Sequence, residues 1–337
     1  MSLNVLWFIL IGVLFTGYFV LEGFDFGVGI AIPFLGRTDE ERRIVINSIG
    51  PFWDANEVWF LTAGGAMFAA FPNWYATFFS GFYLALFLLL LALIGRGVAF
   101  EFRSKLDNAK WRSVWDWVLF AGSLLPPLLV GVAFSDFMKG LPIDSHMTYY
   151  GGLFGLLSPY SVLGGLSLVL LSLAHGSLFL SLRTTGSMQD RARRLGVYTG
   201  AIATACLFVY LVYSAFETTM FRNGLFSPGT IAIIGGLILL TTPFLLRAKK
   251  DGFAFGITAI TLLFSTATIF LTLFPNVMIS SLSPLYNLTI YNAASNHYSL
   301  LVMTIVALTL VPIVLLYQFW SYWVFRRRIK PADHLEY

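Results

Sequence analysis

Residues 50–60 read "GPFWDANEVWF" and run on into "LTAGGAMFAAFP" at 61–72. A Gly-Pro turn opens the stretch, Asp54 and Glu57 follow three residues apart, and an uncharged apolar run comes after them. Three residues is nearly one helical turn, so the two carboxyls share a face. The pattern is that of a membrane-spanning helix with acids in its opening turns. Ionised carboxylates in hydrocarbon cost about 3 kcal/mol each on insertion scales, so these side chains must face protein, water or one another.

The rest of the chain fits that reading. Of its 337 residues 58% are hydrophobic and only 11% charged, too few charges to coat a water-exposed surface of this size. Apolar runs long enough to cross a bilayer predict nine helices, at 4–34, 50–71, 75–102, 113–138, 158–183, 195–218, 229–247, 253–274 and 299–325. The N-terminal "MSLNVLWFILIGVLFTGYFV" has no Lys or Arg before its apolar run and no small-residue cleavage site. It reads as a retained first helix rather than a cleaved signal.

Basic residues give the orientation. Arg37, Arg42 and Arg43 follow the first helix; Arg103, Lys105, Lys110 and Arg112 follow the third; Arg183, Arg191, Arg193 and Arg194 follow the fifth. Arg247, Lys249 and Lys250 follow the seventh, and Arg326, Arg327, Arg328 and Lys330 follow the ninth. Of the remaining basic residues, Lys139 and Arg222 lie in even loops and Arg96 lies inside the third helix. Basic loops stay cytoplasmic, so the N-terminus is expected outside and the C-terminus inside. Spread over loops in this way, the net charge of +4 is no nucleic-acid signal. "TDEERRIVINSIGP" (38–51) predicts a short interfacial helix, with Thr38 and Glu41 spaced as a capping box. Gly23 with Gly27 and the run "TAGGA" (62–66) should permit close helix approach. The uncharged segment 276–299 is expected to form an ordered outer cap; its "NLT" matches a glycosylation acceptor by pattern alone.

Cys206 is the one cysteine, which excludes an intrachain disulfide and a Cys-pair metal site. No phosphate-binding Gly loop, nucleophile–base pair or Cys/His metal spacing is present, so soluble-enzyme chemistry has no footing. The informative residues are the deep ionisable ones. Glu22 and Asp25 in "LEGFDFG" (21–27) repeat the spacing of Asp54 and Glu57. Counting inward at about 1.5 Å per residue, Asp54 is nearest the cytoplasm, with Glu57, Asp25 and Glu22 successively deeper. Linked by water, such a ladder makes a proton relay with Asp54 as its intake. Arg96, Glu101 and His175 are placed on the same half as a supporting polar network. Each has a plainer reading: helix capping for Asp54 and Glu57, a counter-charge for Arg96, a packed hydrogen-bonded ring for His175. Glu101, Asp116, Asp136 and Glu217 fall near helix ends and read as interfacial. Trp53, Trp59, Trp115, Trp117, Trp320 and Trp323 read as interface anchors. His175 is the only deep histidine, since His146 and His297 fall in outer loops and His334 in the tail, so a bis-His haem within this chain is excluded on count.

The motifs "EGFDFGVG" (22–29), "ERRIVINSIGPFWDANEVWFLTAGGAMFAAFP" (41–72), "SGFY" (80–83), "RSK" (103–105), "WDW" (115–117), "GSLLPPLLVGVAF" (122–134), "LFPNVMISS" (273–281) and "VPIVLLYQFWSYW" (311–323) occur in order along almost the whole chain. Together they resemble subunit II of the cytochrome bd-type quinol oxidases. The resemblance implies an all-α membrane protein of two four-helix bundles plus one helix, the bundles at about 4–138 and 158–274 and the last helix at about 299–325, in a single integral domain 1–337. It implies a bacterial or archaeal cell-membrane complex that oxidises quinol and reduces dioxygen to water. The haem-bearing subunit I would carry two b-type haems and one d-type haem, and this chain alone would bind none. Small single-helix subunits and membrane lipid are further expected partners; nucleic acid is not. Asp54 matches the family's W-D-x-N-x-V-W acid, thought to admit cytoplasmic protons, and Asp25 and Glu22 match the G-F-D motif and its preceding acid. Glu57, Arg96 and His175 rest on depth alone. Rival classes are a proton-coupled secondary transporter and a purely structural subunit.

Overall fold

A computed structural model describes residues 2–222 and 224–330; His334 lies outside them. Its helices are α1 (Leu3–Leu35), α2 (Asp39–Ile49), α3 (Trp53–Ala70), α4 (Pro72–Gly81), α5 (Tyr83–Phe102), α6 (Ala109–Lys139), α7 (Gly152–Gly155), α8 (Pro159–Arg183), α9 (Gly186–Glu217), α10 (Pro228–Leu239), α11 (Thr242–Arg247), α12 (Asp251–Leu273) and α13 (His297–Val324). The chain is an all-α polytopic membrane protein. Among the described residues eight helical segments are long and apolar enough to cross a bilayer: α1, α5, α6, α8, α9, α12, α13 and the pair α10–α11. The remaining predicted span, 50–71, is α3. Its 18 residues reach about 27 Å at 1.5 Å each, but Asp54, Asn56 and Glu57 make it too polar to count by composition. The predicted span 75–102 is two helices. Pro72 opens α4 at its first turn, where a missing N–H costs nothing, and the chain breaks again at Phe82 before α5.

α1 is the central element and packs against α3, α6, α8 and α12. Its second half, Glu22–Ile32, is buried without interruption, as expected of a helix surrounded on all sides, and it carries Glu22 and Asp25 into the interior. Small residues bring α1 and α8 together. A Cβ placed on Gly27 would lie 1.9 Å from the Ser172 carbonyl oxygen, and one on Gly176 would lie 2.4 Å from the Gly27 backbone. Gly23 has no such constraint, with its nearest neighbour at 3.7 Å. The helix approach predicted for the pair therefore depends on Gly27 and its partner Gly176.

Aromatic packing fills two regions. One joins Phe15, Phe19, Phe134, Phe137 and Phe270; the other, toward the basic end of the helices, joins Phe24, Phe52, Phe100 and Phe179. Phe24 stacks on Phe179 at 4.2 Å, and Phe52 on Tyr322 at 4.5 Å.

The short helix α2 forms as its capping residues dictate. Thr38 Oγ1 accepts the Glu41 N–H at 3.2 Å. The carboxylate of Glu41 does not close the box; it accepts the Arg37 N–H at 2.8 Å and an Arg191 N–H at 2.5 Å. Arg103 Nε donates to Asp116 at 2.6 Å and its Nη2 to Asp39 at 2.7 Å, while Arg42 and Arg112 join the same carboxylates. α2 is thus clamped to α5, α6 and α9. Asp116 is buried in this network, and Asp136 is also buried. Glu217 pairs with Lys139 at 3.2 Å.

At the opposite end the segment 276–299 is ordered, as expected. β1 (Asn276–Met278) pairs antiparallel with β2 (Leu288–Thr289). Asn287 of the glycosylation pattern uses its side-chain oxygen to accept the Ser280 N–H at 2.8 Å.

Candidate functional site

The site forms where α1, α3, α5 and α13 meet. α1 contributes Glu22 and Asp25, one turn apart and both fully buried. α3 contributes Asp54, Asn56 and Glu57, of which Asp54 is exposed, Glu57 half-buried and Asn56 fully buried. Arg96 comes from α5, where "IGRG" places it between two glycines, and it too is fully buried. Gly97 leaves room for Trp53, whose ring would lie 3.4 Å from a Cβ there.

Arg96 Nη1 donates to Glu22 Oε1 in a short ion pair and lies 3.4 Å from Glu57 Oε2. Its guanidinium carbon sits 4.9 Å from the Phe26 ring centre, 5.7 Å from Phe100 and 5.9 Å from Trp53. The aromatic faces solvate the cation where water is scarce. Asn56 Nδ2 donates to Asp25 Oδ2 at 2.6 Å. Asn56 Oδ1 accepts from Tyr322 Oη at 2.8 Å and from Gln318 Nε2 at 3.2 Å, and Gln318 Oε1 accepts the Trp59 indole N–H at 3.1 Å.

The cluster holds three carboxyls, Glu22, Asp25 and Glu57, and one guanidinium, which meets Glu22 and Glu57. Fully ionised, the cluster would hold two uncompensated negative charges in a buried setting, which is costly. Several buried atoms there have no protein partner: Glu22 Oε2, Asp25 Oδ1, Arg96 Nε and Nη2, and Tyr18 Oη. Polar atoms of this kind are satisfied by water or by a shared proton.

Of the four acids expected to form a ladder, Asp54 is exposed, Glu57 half-buried, and Asp25 and Glu22 are both fully buried. Arg96 stands as the counter-charge to Glu22 and Glu57. Two residues grouped with it are elsewhere. Glu101 is exposed, because it falls five residues beyond Arg96 and so points to a different face of α5. His175 is fully buried but faces α12: Nδ1 is 2.6 Å from Thr258 Oγ1, Nε2 is 3.1 Å from the Val20 carbonyl oxygen, and the ring stacks on Phe255 at 4.3 Å. Both ring nitrogens are engaged in hydrogen bonds within the protein. Among the described residues no group of three His, Cys, Asp or Glu side chains converges on a metal position.

Sequence reasoning missed Asn56, Gln318, Tyr322 and Tyr18, and took Trp59 for an interface anchor. Trp59 packs on Gly17, where a Cβ would lie 2.2 Å from the ring, and turns its indole N–H inward. Gln318 carried a usable signal: it is a lone amide in an otherwise apolar helix, and such residues face the protein interior.

Comparison with known proteins agrees with the fold and with the motifs. The family described as cytochrome bd terminal oxidase subunit II matches residues 3–325. The cytochrome bd ubiquinol oxidase subunit 2 of Bacillus subtilis (strain 168) is 50% identical over 337 residues, covering 100% of this chain and 99% of that protein. The cytochrome bd-I ubiquinol oxidase subunit 2 of Escherichia coli (strain K12) is 38% identical over 364 residues, covering 98% and 96%. A chain in the structure of bd oxidase from Geobacillus thermodenitrificans superposes with a TM-score of 0.75 at 18% identity, covering 96% of this chain and 99% of that one, which shows a shared fold. With the family matched across nearly its whole length, this chain belongs to the cytochrome bd terminal oxidase subunit II family.

Proposed function

We propose that this chain is the second subunit of a quinol:oxygen oxidoreductase and that its acidic cluster carries protons from the cytoplasm toward the oxygen chemistry of subunit I. α3 is the ninth crossing, the N-terminus is outside, and α1–α6 and α8–α12 make the two bundles, with α13 beside them. Subunit I holds the two b-type haems and the d-type haem and oxidises quinol, while this chain holds no haem; small single-helix subunits and lipid complete the assembly.

The observation that carries this reading is the graded burial of Asp54, Glu57, Asp25 and Glu22 around one guanidinium, with unpartnered oxygens on the deepest two. Asp54 takes a proton from the aqueous side. Glu57 lies between it and Arg96 and passes the proton inward. Asp25 and Glu22 hold it where hydrocarbon and aromatic rings keep bulk water out, and Arg96 balances the charge left when it moves on. Reduction of dioxygen to water consumes one proton per electron. Drawing those protons from inside, while quinol releases its own outside, charges the membrane without a pump.

The buried Arg96–Glu22 pair equally favours a purely structural role, and one experiment separates the two. Asp54→Asn in the assembled complex keeps size and shape and removes the titrating oxygen. Quinol-dependent oxygen uptake is expected to fall at least ~100-fold, the usual scale for a lost proton-transfer group, with haem absorbance intact. Unchanged uptake would leave the structural reading.

A further inference from the structure

The chain Trp59–Gln318–Asn56–Asp25 has a built-in direction. An indole nitrogen only donates. Trp59 Nε1 meets Gln318 at 3.1 Å, so Gln318 must present its oxygen to Trp59 and its NH2 group to Asn56. Asn56 must then turn its oxygen toward Gln318 and its NH2 group toward Asp25, which it meets at 2.6 Å. Amide orientation is otherwise ambiguous by a flip; here the indole at the head of the chain removes the ambiguity, and the Leu21 carbonyl oxygen, 3.5 Å from Asn56 Nδ2, agrees with it. Tyr322, the second donor to Asn56 Oδ1, does not set direction, because a hydroxyl both donates and accepts.

We infer that Trp59, Gln318 and Asn56 are positioning residues that keep Asp25 Oδ2 a permanent acceptor, so that Asp25 gains and loses its proton only at Oδ1. Oδ1 is buried and has no protein hydrogen-bond partner, and Glu22, also fully buried, is three residues away on the same helix. A proton on Oδ2 would confront an N–H group head-on. The Asn56 amide therefore closes the Oδ2 side of Asp25 to protons and leaves Oδ1 as the open position. The inference rests on the proton-path reading for its purpose, but not for its geometry.

Infrared difference spectra of the intact complex, recorded as the site exchanges its proton, test it. Asp25→Asn identifies the carboxylic C=O band of Asp25 by removing it. In the parent complex that band is expected to be single and lowered by the hydrogen bond that its C=O accepts from Asn56. In Trp59→Phe, and separately in Gln318→Leu, only the long Leu21 contact still favours that direction; the Asn56 oxygen can then face the carboxyl O–H, and a second band at higher wavenumber is expected. Tyr322→Phe is expected to keep the single band, because Trp59 still sets the direction. The inference is overturned if Asp25→Asn removes no band, if both releasing variants leave the band unchanged, or if Tyr322→Phe splits it as they do. Undiminished oxygen uptake in Asp54→Asn would sink the path reading and leave these spectra to decide the geometry alone.

Discussion

Asn56 donates to Asp25 across the α1–α3 contact at 2.6 Å, and it is the same side chain through which α13 reaches the acidic cluster. α13 is otherwise the least buried of the long helices. Asn56→Leu removes four hydrogen bonds at once and leaves Gln318 Nε2, Tyr322 Oη and Asp25 Oδ2 without these partners. Each stranded buried group costs about 1–3 kcal/mol. The variant is expected to lower the melting temperature of the complex and to cut oxygen uptake well beyond the loss of folded material. Uptake that tracks the folded fraction alone would show that Asn56 serves stability only.

Arg96 should be the most sensitive residue of the cluster. Removing one member of a buried ion pair strands the other, at a cost of about 3–5 kcal/mol. Arg96→Leu is expected to prevent accumulation of the complex. Adding Glu22→Gln should restore assembly, since the stranded charge is gone, without restoring turnover. Immunodetection of the subunit in membranes beside oxygen uptake measures both. Full accumulation of Arg96→Leu by itself would contradict the pairing.

The two glycines of "EGFDFG" should behave differently. Gly27→Ala drives a methyl group into the α8 backbone and is expected to destabilise by about 1–3 kcal/mol, the cost of overpacking a tight contact. Gly23→Ala meets only ordinary contacts and should stay within about 0.5 kcal/mol of the parent. Thermal melts of the purified complex compare them. Equal losses would mean that helix propensity, not helix approach, governs both positions.

Acid should loosen the clamp on α2. Partial burial pushes Asp39 up, but hydrogen bonds and charge from Arg103 and Arg112 outweigh it and hold its carboxyl below the usual carboxylate range. A carboxyl lowered in the folded state stabilises fully above its unfolded value and loses that contribution as pH falls through the folded value. Asp39 is 41% exposed, so solvent screening keeps the effect small. Melting temperature is expected to fall as pH drops below about 4, and Asp39→Asn should flatten that slope. An equally steep slope in the variant would place the acid sensitivity elsewhere.

Much of this protein was legible in its residues. Apolar runs of bilayer length can do little but form helices, because no water is present to satisfy an open backbone. Thr38 starts α2 because its hydroxyl can accept an N–H that the helix leaves unpaired. The spacing of Glu22 with Asp25, and of Asp54 with Glu57, puts each pair on one face whatever surrounds it. The motifs in 22–29 and 41–72 pointed to the family that the whole-chain comparisons show.

Only tertiary structure decided which of the deep polar groups meet. Helical period places a side chain on a face, but the rotation of each helix about its own axis is set by packing with its neighbours. So Arg96 and Glu101, five residues apart, part company, and His175 turns to Thr258 instead of the carboxyls. Gln318 lies more than 250 positions from Asn56, and no local pattern relates them. The donor that orients Asp25 is on one helix, the amide that transmits the orientation on another, and the carboxyl on a third; their relation exists only once the three are packed.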